Sequence, residues 1–188
     1  MQLETERLVL RKAKKNDWED IFEGASDLKV SRSMTVIPYP YTKTDAEWFI
    51  KDSIKNWNSK KAFRFFLELK SEKKVIGVMA LERIDQAGGT ATTASWVNSK
   101  YWKKGYITEA KIAVNDFVFN HLKLRRLNSN VYVDNKASNA AQVKMGYQLE
   151  GTARKASKSR ATGKIHDTNT YGLLKEDWKK ARKNLVKR

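Results

Sequence analysis

Apolar and polar positions follow two different rhythms along this chain, and the points where one gives way to the other outline its elements. Glu6 to Arg11 (ERLVLR) reads as a short strand. Asn16 then precedes a helix with Glu19 at the capping-box position and Trp18, Ile21, Phe22 and Ala25 on one face. A second helix is expected after Thr44, because Ala46, Phe49, Ile50, Ile54 and Trp57 follow i, i+3, i+4 spacing. Between the two lies Ile37-Pro38-Tyr39-Pro40-Tyr41, which holds both prolines and predicts an extended, ring-rich loop of the kind that lines pockets. From Ala62 the period becomes two: Phe63, Phe65, Leu67 and Leu69 alternate with Arg64 and Glu68. Val75 to Ile84 follows the Ser71 to Lys74 turn and completes a hairpin. Thr90 to Val97, entered through Gly88-Gly89, adds a third strand.

The second half changes rhythm again. Thr108 to His121 is a predicted helix whose stripe of Ile107, Ala110, Ala113, Val114, Phe117, Val118 and His121, widened by Ile112 and Phe119, suits packing on a sheet. Arg125 to Val133 reads as a strand, and Lys136 to Met145 as a short helix ended by Gly146. Tyr147 to Gly151 and Ile165 to Leu174 read as two further strands, joined by the basic segment Thr152 to Lys164. A Lys-rich helix with Trp178, Ala181 and Leu185 closes the chain. This order predicts an α+β fold: a central mixed, largely antiparallel sheet of about seven strands flanked by about four helices, with a basic C-terminal helix. Residues 1–174 are expected to form one domain, with 175–188 as a basic helix or tail of the same domain.

Composition narrows the chemistry. With no cysteine, a thiolate nucleophile, thiolate metal site or disulfide is excluded, and the two histidines, His121 and His166, leave a catalytic metal improbable. No apolar run approaches the 18 or so residues of a membrane span, so a soluble, cytoplasmic protein is expected. The net charge of +17 attracts anions without choosing among phosphate cofactors, RNA and acidic proteins. Over half of it is concentrated in Thr152 to Arg188, where twelve Lys/Arg stand against three Asp/Glu, a net +9. Contact of this C-terminal region with RNA or a ribosome is one consequence to test.

The segment with the clearest chemistry is Tyr101-Trp102-Lys103-Lys104-Gly105-Tyr106-Ile107-Thr108-Glu109-Ala110, placed between a strand and a helix. Unpaired amides at a helix start, the positive end of its dipole, a glycine that lets backbone approach closely and two lysines together meet the needs of a pyrophosphate. A solvated turn would use the same residues. The pattern is neither a Walker loop nor a dinucleotide fingerprint.

Six pieces in order give this turn a context: LETERLVLR (Leu3 to Arg11), VIGVMAL (Val75 to Leu81), YWKKGYITEA (Tyr101 to Ala110), LRRLNSNVYVDNKAS (Leu124 to Ser138), KMGYQLEG (Lys144 to Gly151) and IHDTNTYGLLKEDW (Ile165 to Trp178). In these the chain resembles the GNAT superfamily of N-acetyltransferases, specifically the branch of RimJ/RimL-type ribosomal-protein N-terminal acetyltransferases. The resemblance implies acetyl-CoA in a cleft where two strands, Ala94 to Asn98 and Asn128 to Val133, splay apart. Val97 would lend its backbone to the pantetheine arm and thioester, while Lys103, Lys104, Gly105, Tyr106, Ile107 and Thr108 hold the pyrophosphate. Asn135 and Ser138 match the asparagine-x-x-alanine/serine element near the thioester. Of the family's glutamine/arginine-x-x-glycine-x-glycine/alanine pattern, laid over Trp102 to Ile107, only Gly105 is strictly kept.

Amide formation needs a neutral amine, a polarised thioester and a proton for the departing thiolate. The family's usual acid, a tyrosine four residues before the glycine that ends its helix, is replaced here by Gln142, and Ser138 is the nearest substitute. The usual glutamate on the strand before the turn falls on Thr92. Glu82 is the alternative base, with a salt-bridged role beside Arg83 as the plainer reading. Tyr39 and Tyr41 would line the acceptor end if the Pro-rich loop covers it. His121 suits a helix C-cap, and His166 beside Asp167 suits a structural role, since adjacent strand residues point to opposite faces. The implied reaction is direct transfer from acetyl-CoA to a primary amine, by resemblance a protein N-terminus. The alternatives are a small-molecule amine, or a weakly catalytic scaffold that binds RNA or ribosome. Homodimer formation is left open.

Overall fold

The computed structural model describes residues 1–186, so Lys187 and Arg188 of the expected basic tail lie outside the described residues. Eight strands form one sheet: β1 (Leu3–Glu4), β2 (Leu8–Arg11), β3 (Phe63–Leu69), β4 (Lys74–Asp85), β5 (Thr90–Val97), β6 (Arg126–Tyr132), β7 (Gln148–Lys158) and β8 (Ile165–Leu174). Its order is β1-β2-β3-β4-β5-β6-β8-β7. Six helices accompany it: α1 (Trp18–Ala25), α2 (Leu28–Ser31), α3 (Lys43–Asn58), α4 (Tyr106–Asn120), α5 (Lys136–Lys144) and α6 (Lys175–Val186). The mixed, mostly antiparallel architecture matches the expectation. The additions are β1 and α2, of two and four residues, too short to impose a period on the sequence.

Helix α3 starts where its cap chemistry dictates. Thr42 Oγ1 accepts from the Asp45 N–H at 3.2 Å while the Asp45 carboxylate accepts from the Thr42 N–H at 2.8 Å, a reciprocal capping box. The start of α1 differs from the expectation. Lys15–Asp17 form a 3₁₀ turn, and the Asp17 carboxylate, rather than capping α1, accepts from the Lys14 N–H at 2.7 Å and from both terminal nitrogens of Arg11 at 2.8 Å. A buried arginine needs that bidentate partner more than the helix needs a cap.

Two apolar layers cover the sheet. On one face Phe66, Val75 and Val78 meet Ile21 of α1 and Ala46 and Ile50 of α3. On the other, Phe65, Met79, Leu81 and Leu127 meet Ala110, Val114 and Val118 of α4. Trp178 of α6 is 3 % exposed in this second layer, and its indole N–H donates to Asp116 at 2.9 Å. The basic helix is therefore held by the core and is not a free tail.

Among the described residues the β5–β6 junction is the one parallel pairing in the sheet. It lasts for three residue pairs, Thr90↔Arg126, Ala91↔Leu127 and Thr92↔Asn128. Beyond them β5 runs on to Val97 alongside β4 and β6 runs on to Tyr132 alongside β8, so the two strands separate into an open wedge.

Candidate functional site

At the wide end of the wedge β5 leads through a short 3₁₀ turn, Ser99–Tyr101, into α4. Gly105 is the residue before the helix and has φ 83°. A side chain there would be strained, and its Cβ would lie 3.4 Å from the Arg7 guanidinium. Lys103 is also left-handed, at φ 62°. These two turns of the backbone aim the start of α4 outward. The first helical carbonyl bond belongs to the Glu109 N–H, onto the Gly105 carbonyl at 3.1 Å. The N–H groups of Tyr106, Ile107 and Thr108 are thus free for an anion at the positive end of the dipole.

Sequence reading overlooked one member of this turn. Glu109 sits in the first helical turn, where a carboxylate would repel phosphate, and Arg7 of the β1–β2 connection neutralises it through bonds of 2.7 Å from both Nε and Nη2. Burial pushes the Glu109 pKa up, but the bonds from Thr5 and Arg7 outweigh it and leave the net shift downward. Arg7 also donates to the Lys104 carbonyl at 3.0 Å and lies 4.5 Å over the Tyr106 ring, bracing the turn from behind.

Val97 closes β5. Because the Asn98 N–H bonds the Ile76 carbonyl on β4 at 2.8 Å, the backbone groups of Val97 face the other way, into the wedge. The Trp102 indole N–H takes the Val97 carbonyl at 2.6 Å, which leaves the Val97 N–H available. Across the wedge Asn135 caps α5 by accepting from the Ser138 N–H at 3.1 Å. Val97 and Gly105 thus follow from β5, and Asn135 and Ser138 from β6, the two strands that part at the wedge.

A family model described as an acetyltransferase (GNAT) domain matches residues 7–148. The chain belongs to the GNAT acetyltransferases. It is 30% identical over 173 residues to the uncharacterized N-acetyltransferase YoaA of Bacillus subtilis, covering 92% of this chain and 96% of that one. It is also 31% identical over 85 residues, 45% of this chain and 48% of the other, to the ribosomal-protein-serine acetyltransferase of Escherichia coli. Among solved structures it resembles the microcin C7 self-immunity acetyltransferase MccE, crystallised with acetyl-CoA and AMP, at a TM-score of 0.80 and 25% identity over 90% of this chain and 93% of the other. The protein is accordingly an acetyl-CoA-dependent N-acetyltransferase of GNAT type, with the RimJ/RimL-like relationship that its motifs suggested.

A buried polar cluster lies at the apex of the wedge. Gln142 is buried, donating to Ser129 Oγ at 2.7 Å and accepting from Lys111 Nζ at 3.0 Å. Lys111, on α4, is 4 % exposed, and no carboxylate lies within ion-pair distance of it among the described residues. Burial pulls its ammonium down to about 8. Tyr147, whose ring lies 5.9 Å from that ammonium, meets Thr93 Oγ1 through its hydroxyl at 3.2 Å. Thr93 and Ser129 are the first residues past the last β5–β6 pair, so this buried polar cluster fills the point where the strands part.

Glu82 does not come to the site as a free carboxylate. Arg64 Nε holds it at 2.6 Å and is itself paired with Asp52 at 2.5 Å, so the salt-bridged reading is the one the structure supports. The physical reason is the β3–β4 register, which sets Arg64 beside Glu82's strand segment on the face covered by α3. His121 is the C-cap of α4 and stacks on Phe117.

At the acceptor end, Tyr39 is 48 % exposed on the Pro-rich loop, while Tyr41 is packed against the α1–α3 layer and burial raises its phenol. The loop is tied to the sheet by the Tyr132 hydroxyl, which donates to Thr35 Oγ1 at 3.3 Å. It is tied to the β7–β8 turn by Arg160, whose N–H and Nη1 donate to the Thr35 and Val36 carbonyls at 3.3 and 3.4 Å. His166 is beside this junction. Its partner is Asp134, Nδ1 to Oδ1 at 3.2 Å, and not the adjacent Asp167, which accepts instead from the Lys155 N–H at 2.7 Å. Only the fold, which places the β6–α5 connection next to the start of β8, brings that pair together.

Proposed function

We propose that this enzyme transfers an acetyl group from acetyl-CoA to the N-terminal amine of a protein by direct attack in a ternary complex. The observation that carries the reading is the wedge between β5 and β6, bordered on one side by the α4 N-terminal turn and on the other by the start of α5. In it Lys103 and Lys104 and the N–H groups of Tyr106, Ile107 and Thr108 take the pyrophosphate, and Gly105 lets it approach. The Val97 N–H orients the pantetheine arm and thioester, with Asn135 and Ser138 opposite. Thioester chemistry supplies the activated acetyl group, while the chain supplies position, a polar apex and a proton for the leaving thiolate. For that proton Ser138 is the hydroxyl that the family resemblance offers, since Gln142, at the expected acid position, is already committed to Lys111 and Ser129. Without a cysteine, no acetyl-cysteine forms along the way.

The protein N-terminus is favoured over small amines for two reasons. One is the similarity to the ribosomal-protein-serine acetyltransferase. The other is the +17 charge, which disfavours cationic polyamines and favours approach to RNA-rich particles. The basic strand β7 supports such an approach, with Arg154, Lys155 and Lys158 exposed on a sheet edge. Titration calorimetry with acetyl-CoA, followed by mass spectrometry of peptides beginning with Ser, Ala, Thr or Met, tests the reading. Micromolar binding and a 42-Da gain at the α-amine are expected for an acetyl group, whereas absence of heat would end it. Charge reversal at Lys155 and Lys158 tests ribosome contact better than removing α6, which would strip Trp178 from the core.

A further inference from the structure

His166 is one of two histidines in the chain and is paired in a way its sequence neighbours do not suggest. Its ring lies parallel to that of Tyr132, with centroids 4.0 Å apart and planes 3° apart, so its orientation is fixed. The Asp134 carboxylate holds Nδ1 at 3.2 Å. The side chain is 8 % exposed, and Nε2 is buried with no hydrogen-bond partner among the described residues. An unsatisfied buried nitrogen is costly, and the rest of this ring is fully accounted for by stacking and by Asp134.

Its placement gives the open nitrogen a use. Tyr132 is the last residue of β6, on the side of the wedge where the strands no longer pair. The hydroxyl of Tyr132 reaches Thr35, two residues before the Pro-rich segment Ile37 to Tyr41. The Thr35–Val36 segment is joined to the β7–β8 turn by two long bonds from Arg160. The groups that face the ring are Tyr132 from β6 and Asp134 from the β6–α5 connection. Lys164, from the β7–β8 turn, acts through Asp134, which it meets at 2.8 Å. A carboxylate on Nδ1 keeps the proton there in the neutral ring and leaves a lone pair on Nε2, the arrangement of a base held by an orienting acid.

We infer that His166, oriented by Asp134 and Tyr132, is the base that receives the proton of the acceptor ammonium at Nε2. The inference rests on the amine-acetylation reading above. In the step, the ammonium N–H bond breaks, its proton moves to Nε2, and the imidazolium is balanced by Asp134. The neutral amine then forms the N–C bond to the thioester carbonyl. As the C–S bond breaks, the second amine proton leaves for the thiolate through Ser138, and His166 returns its proton to water after the amide departs. Nε2, buried in this structure, must be exposed for the amine to reach it. This assigns the base that neither Thr92 nor Glu82 supplies.

The test compares wild type, H166Q and D134N as full chains, with acetyl-CoA affinity as the control for folding and for the cofactor site. H166Q is expected to bind acetyl-CoA within twofold of wild type. It should lose about 10²-fold or more in kcat/KM for the peptide acceptors, in line with loss of a general base. The loss should shrink as pH is raised and the free amine becomes neutral, and D134N should fall between the two. Wild type that fails to bind acetyl-CoA would defeat the functional reading itself. Wild type that binds and transfers, with an H166Q variant of unchanged rate and pH profile, would overturn only the role of His166. A second arm needs no acceptor. In ring ¹⁵N–¹H correlation spectra at pH 7.5, His166 is expected with its proton on Nδ1 and to lose that preference in D134N, and a proton found on Nε2 in wild type overturns the inference.

Discussion

The two ends of the cleft are assembled from different materials. The proposed cofactor end is mostly backbone drawn from one short stretch, Val97 to Thr108, in which a left-handed glycine and a helix start do the work. The proposed acceptor end is a set of side chains gathered from distant parts of the chain: Thr35, Tyr132, Asp134, Arg160 and His166. A pyrophosphate is the same in every substrate, so a rigid local cradle suffices. An amine acceptor varies between enzymes, and a site made of separable loops and strand ends can be altered piece by piece without disturbing the cradle.

The comparison can be broken most forcefully at Gly105. G105D puts a carboxylate and a strained Cβ where the anion is expected. Acetyl-CoA affinity by calorimetry should fall at least about 100-fold with the circular dichroism spectrum unchanged, and retained affinity would mean the cradle is elsewhere.

Next in size is Lys111, between the two ends. Its ammonium is pulled from 10.5 to about 8 by burial. The folded state therefore releases this proton before the unfolded state does, and between those values the unfolded chain holds more protons. The penalty of the buried charge is fully present below pH 8, and stability is regained as pH rises from 8 to 10.5, by on the order of 3 kcal/mol. Urea unfolding should show K111M losing, relative to wild type, about that much on going from pH 7 to 10.5. Parallel stabilities across that range would remove Lys111 from the account.

Arg7 sharpens the cofactor end. R7A frees the Glu109 carboxylate beside the turn, and the Kd for acetyl-CoA should rise about tenfold, roughly 1.4 kcal/mol, with R7A/E109Q recovering part of it. If the double variant binds no better than R7A, the role of Arg7 is to brace the Lys104 carbonyl. The smallest effect is expected at Glu82: E82Q should leave kcat/KM within twofold, because its carboxylate is occupied by Arg64. A loss of 10²-fold would restore it as the base.

The same division explains how much could be read from the residues alone. The sheet strands with one buried face were legible, and the limits of β5, Thr90–Val97, and of β8, Ile165–Leu174, coincide with the expected ones. Strand β7 was read only as far as Gly151. Nearly all its residues are exposed, so neither face leaves a period of two, and its basic second half resembles a loop. The helix stripe of α4 was found, but Lys111 and Asn115 within it are polar and buried, which hydrophobic periodicity is built to miss. The turn proposed for the cofactor could be singled out because its parts are contiguous. The His166–Asp134 pair could not, since the residues are 32 apart and nothing local distinguishes Asp134 from Asp167.

Strand β7 has a consequence for how this protein behaves in company. An edge strand of eleven residues open on both faces is a template on which other chains can add strands. Here the pairing register breaks between Ala153 and Ser157, Lys155 sits at φ 50°, and Arg154, Lys155 and Lys158 crowd the same stretch with positive charge. A second copy arriving edge to edge would meet a kink and its own charge. The kink and the charge of this strand both oppose zipping of concentrated enzyme into a continuous sheet.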